Sequence, residues 1–185
     1  GDWSSASFFL VAGAISGGLV VKNLNTLSTQ ADRKILDVLH SCGAVIETLP
    51  GGVRVERNHI RAFEFDVSDS PDLFPPLCIL AACAEGVSTI YGTDRQLFKE
   101  SNRLESICQG FSRLGVRFEL SQGKISIEGR EDIGSGTIDP MGDHRIAMAF
   151  AILGLRSKGG IRILNPGCVS KSYPEFFSEL MGVKK

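Results

Sequence analysis

Pro75-Pro76-Leu77-Cys78-Ile79-Leu80-Ala81-Ala82-Cys83-Ala84-Glu85-Gly86-Val87-Ser88-Thr89-Ile90-Tyr91 is the stretch on which the fold turns. Paired prolines fit a helix only in its first turn, where no backbone N–H is called for. The apolar run behind them predicts a buried helix over 75–84 closed by Gly86, and 87–91 reads as a strand. A helix over 100–114, Gly115 and two strands about Gln122-Gly123 follow. Upstream, the same order is legible: an apolar helix over 6–15, Gly17-Gly18, a strand over 19–24, an amphipathic helix over 31–41, Gly43, and two strands around Pro50-Gly51-Gly52. Downstream it starts again, with a helix over 144–155, Gly159-Gly160, a strand over 161–164 and a helix over 173–181.

The glycine that closes the first helix recurs at 17, 86 and 159, steps of 69 and 73 residues, and the one that closes the second at 43 and 115, a step of 72. Matching steps around a matching order of elements point to an internal repeat. The expected architecture is therefore an α+β globe of repeated units, at about 1–60, 61–130 and 131–185. The third stops at Lys185 before its final pair of strands, so those strands are expected from elsewhere, since an edge would otherwise be left open. The start, Gly1-Asp2-Trp3-Ser4-Ser5, runs at once into a helix and reads as a cut end.

Bulk properties narrow the function. The 185 residues suit one domain or large lobe. Twenty basic and 21 acidic side chains leave a net charge of −1, without the basic excess that nucleic acid or an anionic membrane calls for. The five cysteines are odd in number and lie mostly in apolar runs, so free thiols in a reducing cytoplasm are expected. The three histidines are scattered and make a metal site improbable. No apolar stretch is long enough to span a bilayer.

The polar residues gather at predicted helix starts. Asp2, Asp72 and Asp143 stand before the first helix of each unit, and for Asp2 and Asp143 plain N-capping is the simpler reading. Lys99-Glu100-Ser101-Asn102-Arg103, Asp143-His144-Arg145 and Lys171-Ser172-Tyr173-Pro174 each open a predicted helix. Helix N-termini offer free N–H groups and partial positive charge, and guanidinium forks suit carboxylate and phosphate. If the repeats bring these ends together, Arg103, Arg145 and Lys171 line a pocket for a small, multiply anionic ligand. Glu100 stands at i relative to Leu104, Ile107 and Phe111, which puts it on the core-facing arc of the predicted helix. There it is either a carboxylate paired with a nearby cation or a partly desolvated proton carrier.

Four motifs, 1–9 (Gly-Asp-Trp-Ser-Ser-Ala-Ser-Phe-Phe), 99–103, 142–148 (Gly-Asp-His-Arg-Ile-Ala-Met) and 171–174, occur in an order and spacing that resembles the C-terminal half of the 5-enolpyruvylshikimate-3-phosphate synthase family. The resemblance runs the length of the chain. It implies an enolpyruvyl transferase-like fold, two globes each of three βαβαββ units, of which this chain would hold two complete units and a third without its final strands. A short N-terminal segment of the family crosses over to complete this globe. The implied partners are the missing N-terminal globe and the substrates phosphoenolpyruvate and shikimate 3-phosphate, with no cofactor and no metal. The family is the target of glyphosate. Carried over to the matching positions, Asp72 takes the proton of the substrate 5-hydroxyl, and Glu100 transfers a proton near the vinyl carbon. Lys99 touches shikimate 3-phosphate, while Arg103, Arg145 and Lys171 hold phosphoenolpyruvate with His144 beside them. Asn102 departs from the Asp of many members, and Arg95 stands where some have Asn. The related transferase that acts on UDP-N-acetylglucosamine usually lacks the 99–103 and 143–145 signatures, and a non-catalytic anion-binding module of the same fold is the other alternative.

Overall fold

A helix that is apolar on every side is stable in water only if every side is covered. The structure, a computed structural model, describes residues 1–182. The chain runs α1 (Trp3–Ser16), β1 (Leu19–Lys22), α2 (Ile35–Ser41), β2 (Val45–Leu49), β3 (Gly52–Glu56), β4 (Glu64–Asp66), α3 (Phe74–Ala82), β5 (Val87–Tyr91), α4 (Arg103–Leu114), β6 (Arg117–Ser121), β7 (Lys124–Glu128), β8 (Gly136–Ile138), α5 (His144–Leu153), β9 (Ile161–Ile163) and α6 (Phe176–Gly182). Helices α1, α3 and α5 are the apolar ones. All nine residues of α3 are buried, as are nearly all of α1 and α5, and the three pack against one another at the centre.

Sheets cover these helices from outside. The first has the order β1-β3-β2, all antiparallel, with Val53 and Val55 of β3 buried and Arg54 between them exposed. The second has the order β4-β5-β7-β6. Strands β4 and β5 are parallel, so a crossover must join them, and α3 is that crossover. Ile90 on β5 lies opposite Ile125 on β7, and both are fully buried. In the third sheet β8 and β9 are parallel, joined through α5, and among the described residues no strand pairs with the far edge of β9.

Helix α4 is amphipathic and packs on this centre through Arg103, Ser106, Ile107, Gly110, Phe111 and Leu114. The Phe111 and Phe150 rings meet edge to face at 6.1 Å, and a side chain at Gly110 would overlap the Phe150 ring. Gly115 ends the helix in the left-handed region (φ 73°), where a side chain is penalised, and donates its N–H to the Phe111 carbonyl. Burial pushes the Cys83 and Cys108 thiols up to about 12 and about 11, values that suit inert packing groups.

Several predicted boundaries move. The helix expected over 100–114 begins at Arg103, because Asn102 caps it by accepting from the Glu105 N–H at 3.1 Å. The helix expected over 173–181 begins at Phe176, and Lys171 ends a 3₁₀ turn, Pro166–Lys171, rather than opening a helix. Helix α3 begins at Phe74 and ends at Ala82, and α5 gives way to a 3₁₀ turn at Gly154.

The three central helices point the same way. Their far ends converge where Arg156 donates to the Ile15 carbonyl at 3.4 Å, beside a cavity of about 430 Å³ lined by Ala14, Ile15, Cys83 and Ala84. Their N-terminal ends converge at the opposite pole, where the charged residues lie.

Candidate active site

Asp72 is the hub of that pole. It sits in the 3₁₀ turn Pro71–Leu73 just ahead of α3. Prolines 75 and 76 leave the first turn of α3 short of N–H donors, so the Asp72 carboxylate is not used as a cap. It faces three cations instead: Arg103 Nη1 at 2.9 Å, Arg145 Nη2 at 3.0 Å and Lys99 Nζ at 3.4 Å. Burial pushes this carboxyl up, but Arg145, Lys99 and Arg103 together outweigh it and hold the group below the usual range. The turn at Thr93–Phe98 ties down the loop that carries it. Fully buried Gln96 donates to the Pro71 carbonyl at 3.0 Å, and Arg95 donates to the Ser68 carbonyl at 2.7 Å.

Arg103 occupies the position on the core-facing arc of α4 that the sequence reading gave to Glu100. Because α4 starts at Arg103, that residue shares the buried stripe with Ile107, Gly110, Phe111 and Leu114, and Glu100 lies outside the helix. The Arg103 side chain is 1% exposed and all three of its nitrogens are engaged. Nε donates to Asp143 Oδ2 at 2.9 Å, Nη1 to Asp72 Oδ1, and Nη2 to Glu100 Oε2.

Asp143 has no exposed surface. One carboxylate oxygen accepts from the Arg145 N–H at 2.9 Å and caps α5. The other accepts from Arg103 and from the Ser101 hydroxyl at 3.1 Å. Burial opposes the charge on both partners, and their mutual attraction overrides it, so Asp143 is held below its usual range and Arg103 above its own. Capping is therefore only half of what Asp143 does.

Of the other expected residues, His144 borders this cluster, and Lys171 makes no hydrogen bond or ion pair with it among the described residues. His144 opens α5 and is buried, and that burial, with Arg145 next to it, pushes its imidazole below the usual value. Lys171 is exposed and makes no ion pair among the described residues, but its neighbours Ser172 and Tyr173 share a cavity with Gly1, Asp2 and Ser5 at the start of α1. Asp2 caps α1 by accepting from the Ser5 N–H at 2.8 Å and from Gln30 Nε2 at 2.7 Å.

Asp32 belongs to the same pole and has no counterpart in the sequence reading. It is buried, accepts from the Ser4 hydroxyl, and is pushed up by burial against that hydrogen bond, with Asp72 and Arg145 the nearby charges. Its signal in the sequence, an acid in the first turn of a helix, was no different from that of any surface cap. Gln96 and Ser101 likewise carried no pattern to mark them.

Lys99, Arg103 and Arg145 thus face Asp72, Glu100 and Asp143, three cations against three acids in one connected cluster. Such a cluster can move protons through its acids and hold an anion through its cations. Among the described residues no group of three or more His, Cys, Asp or Glu is placed to hold a metal ion.

Fold and cluster together define the enolpyruvyl transferase class, an α+β globe with its helix starts gathered at one charged pole. The family model for EPSP synthase (3-phosphoshikimate 1-carboxyvinyltransferase) matches residues 1–180. A 3-phosphoshikimate 1-carboxyvinyltransferase of Dehalococcoides mccartyi is 43% identical over 180 residues, covering 97% of this chain and 42% of that protein. One of the same name from Pyrococcus furiosus is 46% identical over 187 residues, covering 100% and 45%. The solved EPSP synthase of Acinetobacter baumannii superposes with a TM-score of 0.81 at 30% identity, over 97% of this chain and 44% of that one. The chain belongs to the EPSP synthase family, and it spans about half the length of the relatives it matches.

Proposed function

We propose that this chain supplies one wall of the active site of an enzyme that moves the enolpyruvyl group of phosphoenolpyruvate to the 5-hydroxyl of shikimate 3-phosphate, releasing phosphate. The observation that carries the reading is the convergence of Asp72 with Lys99, Arg103 and Arg145 at the pole where three helices begin. In this reading Asp72, kept ionised by its cations, accepts the proton of the attacking hydroxyl. Glu100 carries the proton that the vinyl carbon gains and then loses. Arg145, Arg103 and Lys171 steady the charge on phosphate and carboxylate, with His144 neutral beside them, and Lys99 meets the phosphorylated cosubstrate.

The opposite wall is the N-terminal globe of the same protein, a reading supported by relatives about twice as long as the chain. The chain itself is then a globe of three related units at about 1–60, 61–130 and 131–185, of which 61–130 holds the full βαβαββ order among the described residues. A cytoplasmic location fits the free cysteines, and no described helix is long and apolar enough to cross a membrane.

Phosphate release by the full-length protein tests this. Both substrates together should support turnover, and the chain alone should support none. Asp72→Asn and Glu100→Ala should each lower kcat by about 10²- to 10⁴-fold with no comparable loss of binding. Release with UDP-N-acetylglucosamine in place of shikimate 3-phosphate would overturn the proposal.

A further inference from the structure

Each of the three nitrogens of Arg103 is already engaged by an acid. Asp143, Asp72 and Glu100 take Nε, Nη1 and Nη2 respectively, and the side chain is 1% exposed. Three of its five N–H donors are taken, and at 1% exposure the other two are closed to solvent, so an incoming carboxylate reaches this guanidinium by displacing one of the three acids. The Asp143 contact is closed to solvent, with no exposure on either partner beyond that 1%. Asp72 is anchored twice more, by Arg145 and by Lys99. Glu100 is held by Arg103 alone, among the described residues, and its side chain is 49% exposed. An exposed pair of this kind contributes little, whereas breaking a buried, hydrogen-bonded one is costly, so Glu100 is the partner that gives way.

We infer that the carboxylate of the ligand replaces Glu100 on Arg103 Nη2, and that this exchange releases the Glu100 carboxylate for its work in the site. This deepens the proposed function and rests on it. The acid that is to move a proton at the ligand is parked on the cation that binds the ligand, so it is set free only when the ligand has arrived. No atom is transferred in this step. One carboxylate–guanidinium pair opens and another closes, with the charge around Arg103 unchanged. The Asp143 contact keeps the guanidinium plane in place during the exchange, because Nε and the Asp143 carboxylate are both buried.

The exchange has a signature that an ordinary binding or structural residue does not produce. Glu100 competes with the ligand, so Glu100→Gln removes the competitor and raises affinity for a carboxylate ligand while turnover falls. The test uses the full-length protein, with direct calorimetric binding of phosphoenolpyruvate and, separately, of inorganic phosphate, which has no carboxylate. Phosphoenolpyruvate should bind the Glu100→Gln variant about two- to fivefold more tightly than the wild type, the range set by an exposed ion pair. Inorganic phosphate should bind both equally, since a general gain from losing one negative charge would act on both anions. Because Glu100 lies outside the helix and half in solvent, the variant should melt as the wild type does. Equal or weaker phosphoenolpyruvate binding by the variant, or a matching gain for phosphate, overturns the exchange and leaves the proposed function standing. Absence of phosphate release by the full-length wild type with both substrates present removes the proposed function, and the exchange with it.

Discussion

Replacing Asp143 by alanine tests whether the charged pole is a framework as well as a candidate site. Two interactions are lost at once. The N-cap of α5, made to the Arg145 N–H at 2.9 Å, is of a kind whose removal costs about 0.5–2 kcal/mol. The second loss leaves Arg103, 1% exposed, without its one fully buried counter-ion, and breaking a buried pair costs about 3–5 kcal/mol. Arg103 keeps Asp72 and Glu100, which places the pair at the lower end of that range, and the sum at about 4 kcal/mol. For a chain of this length that corresponds to a melting temperature lower by ~8–16 °C. Trp3, the single tryptophan and fully buried at the start of α1, reports unfolding by its fluorescence. Asp2→Ala is the matched control, a cap on an equally buried helix with no arginine behind it, and should cost about 1 kcal/mol. In an Arg103→Met background, Asp143→Ala should fall back toward that control value, since the charge it served has gone. An Asp143→Ala cost no larger than that of Asp2→Ala, or one unchanged in the Arg103→Met background, would refute the reasoning.

The pH dependence of stability carries a definite sign. Asp72 and Asp143 have folded values below their ordinary 3.8, so the stability they contribute is fully present above that pH and is lost as the pH falls through the lower folded values. His144 is depressed from 6.5, so below that pH the unfolded chain binds the proton first and the fold is weakened. The urea midpoint should thus fall in two stages on acidification, and His144→Gln should abolish only the first; Asp32, raised by burial, works in the opposite direction between them. Gly110→Ala should destabilise by about 1–3 kcal/mol in urea melts, because the added methyl has no room against Phe150, and Phe150→Leu should recover part of the loss. An unaltered midpoint for Gly110→Ala would mean that α4 can shift away from α5 at no cost.

The pattern of elements was legible in the chain because it is set by local physics. Prolines 75 and 76 can stand only at a helix start, an unbroken apolar run such as 77–82 must be buried, and glycines at 17, 86 and 115 close elements with backbone angles that other residues avoid. The same local reasoning marked Asp72, Lys99, Arg103 and Arg145 as polar residues at element starts, and the structure brings those four into contact. What local physics could not decide is which partner each charge finds. A difference of three residues in where α4 begins moved Glu100 off the buried stripe and put Arg103 on it, and that follows from a cap made by Asn102, weighed against tertiary contacts. Asp143 read as a cap and is one, but its second oxygen meets an arginine 40 residues away in the chain. Asp32 carried no mark in the sequence and is buried against Ser4. Helix starts are written in short stretches of sequence. The pairing of charges at a pole is written only in the packing of three helices that bring distant starts together, and there the loss of solvent decides which pairs hold and which can be exchanged.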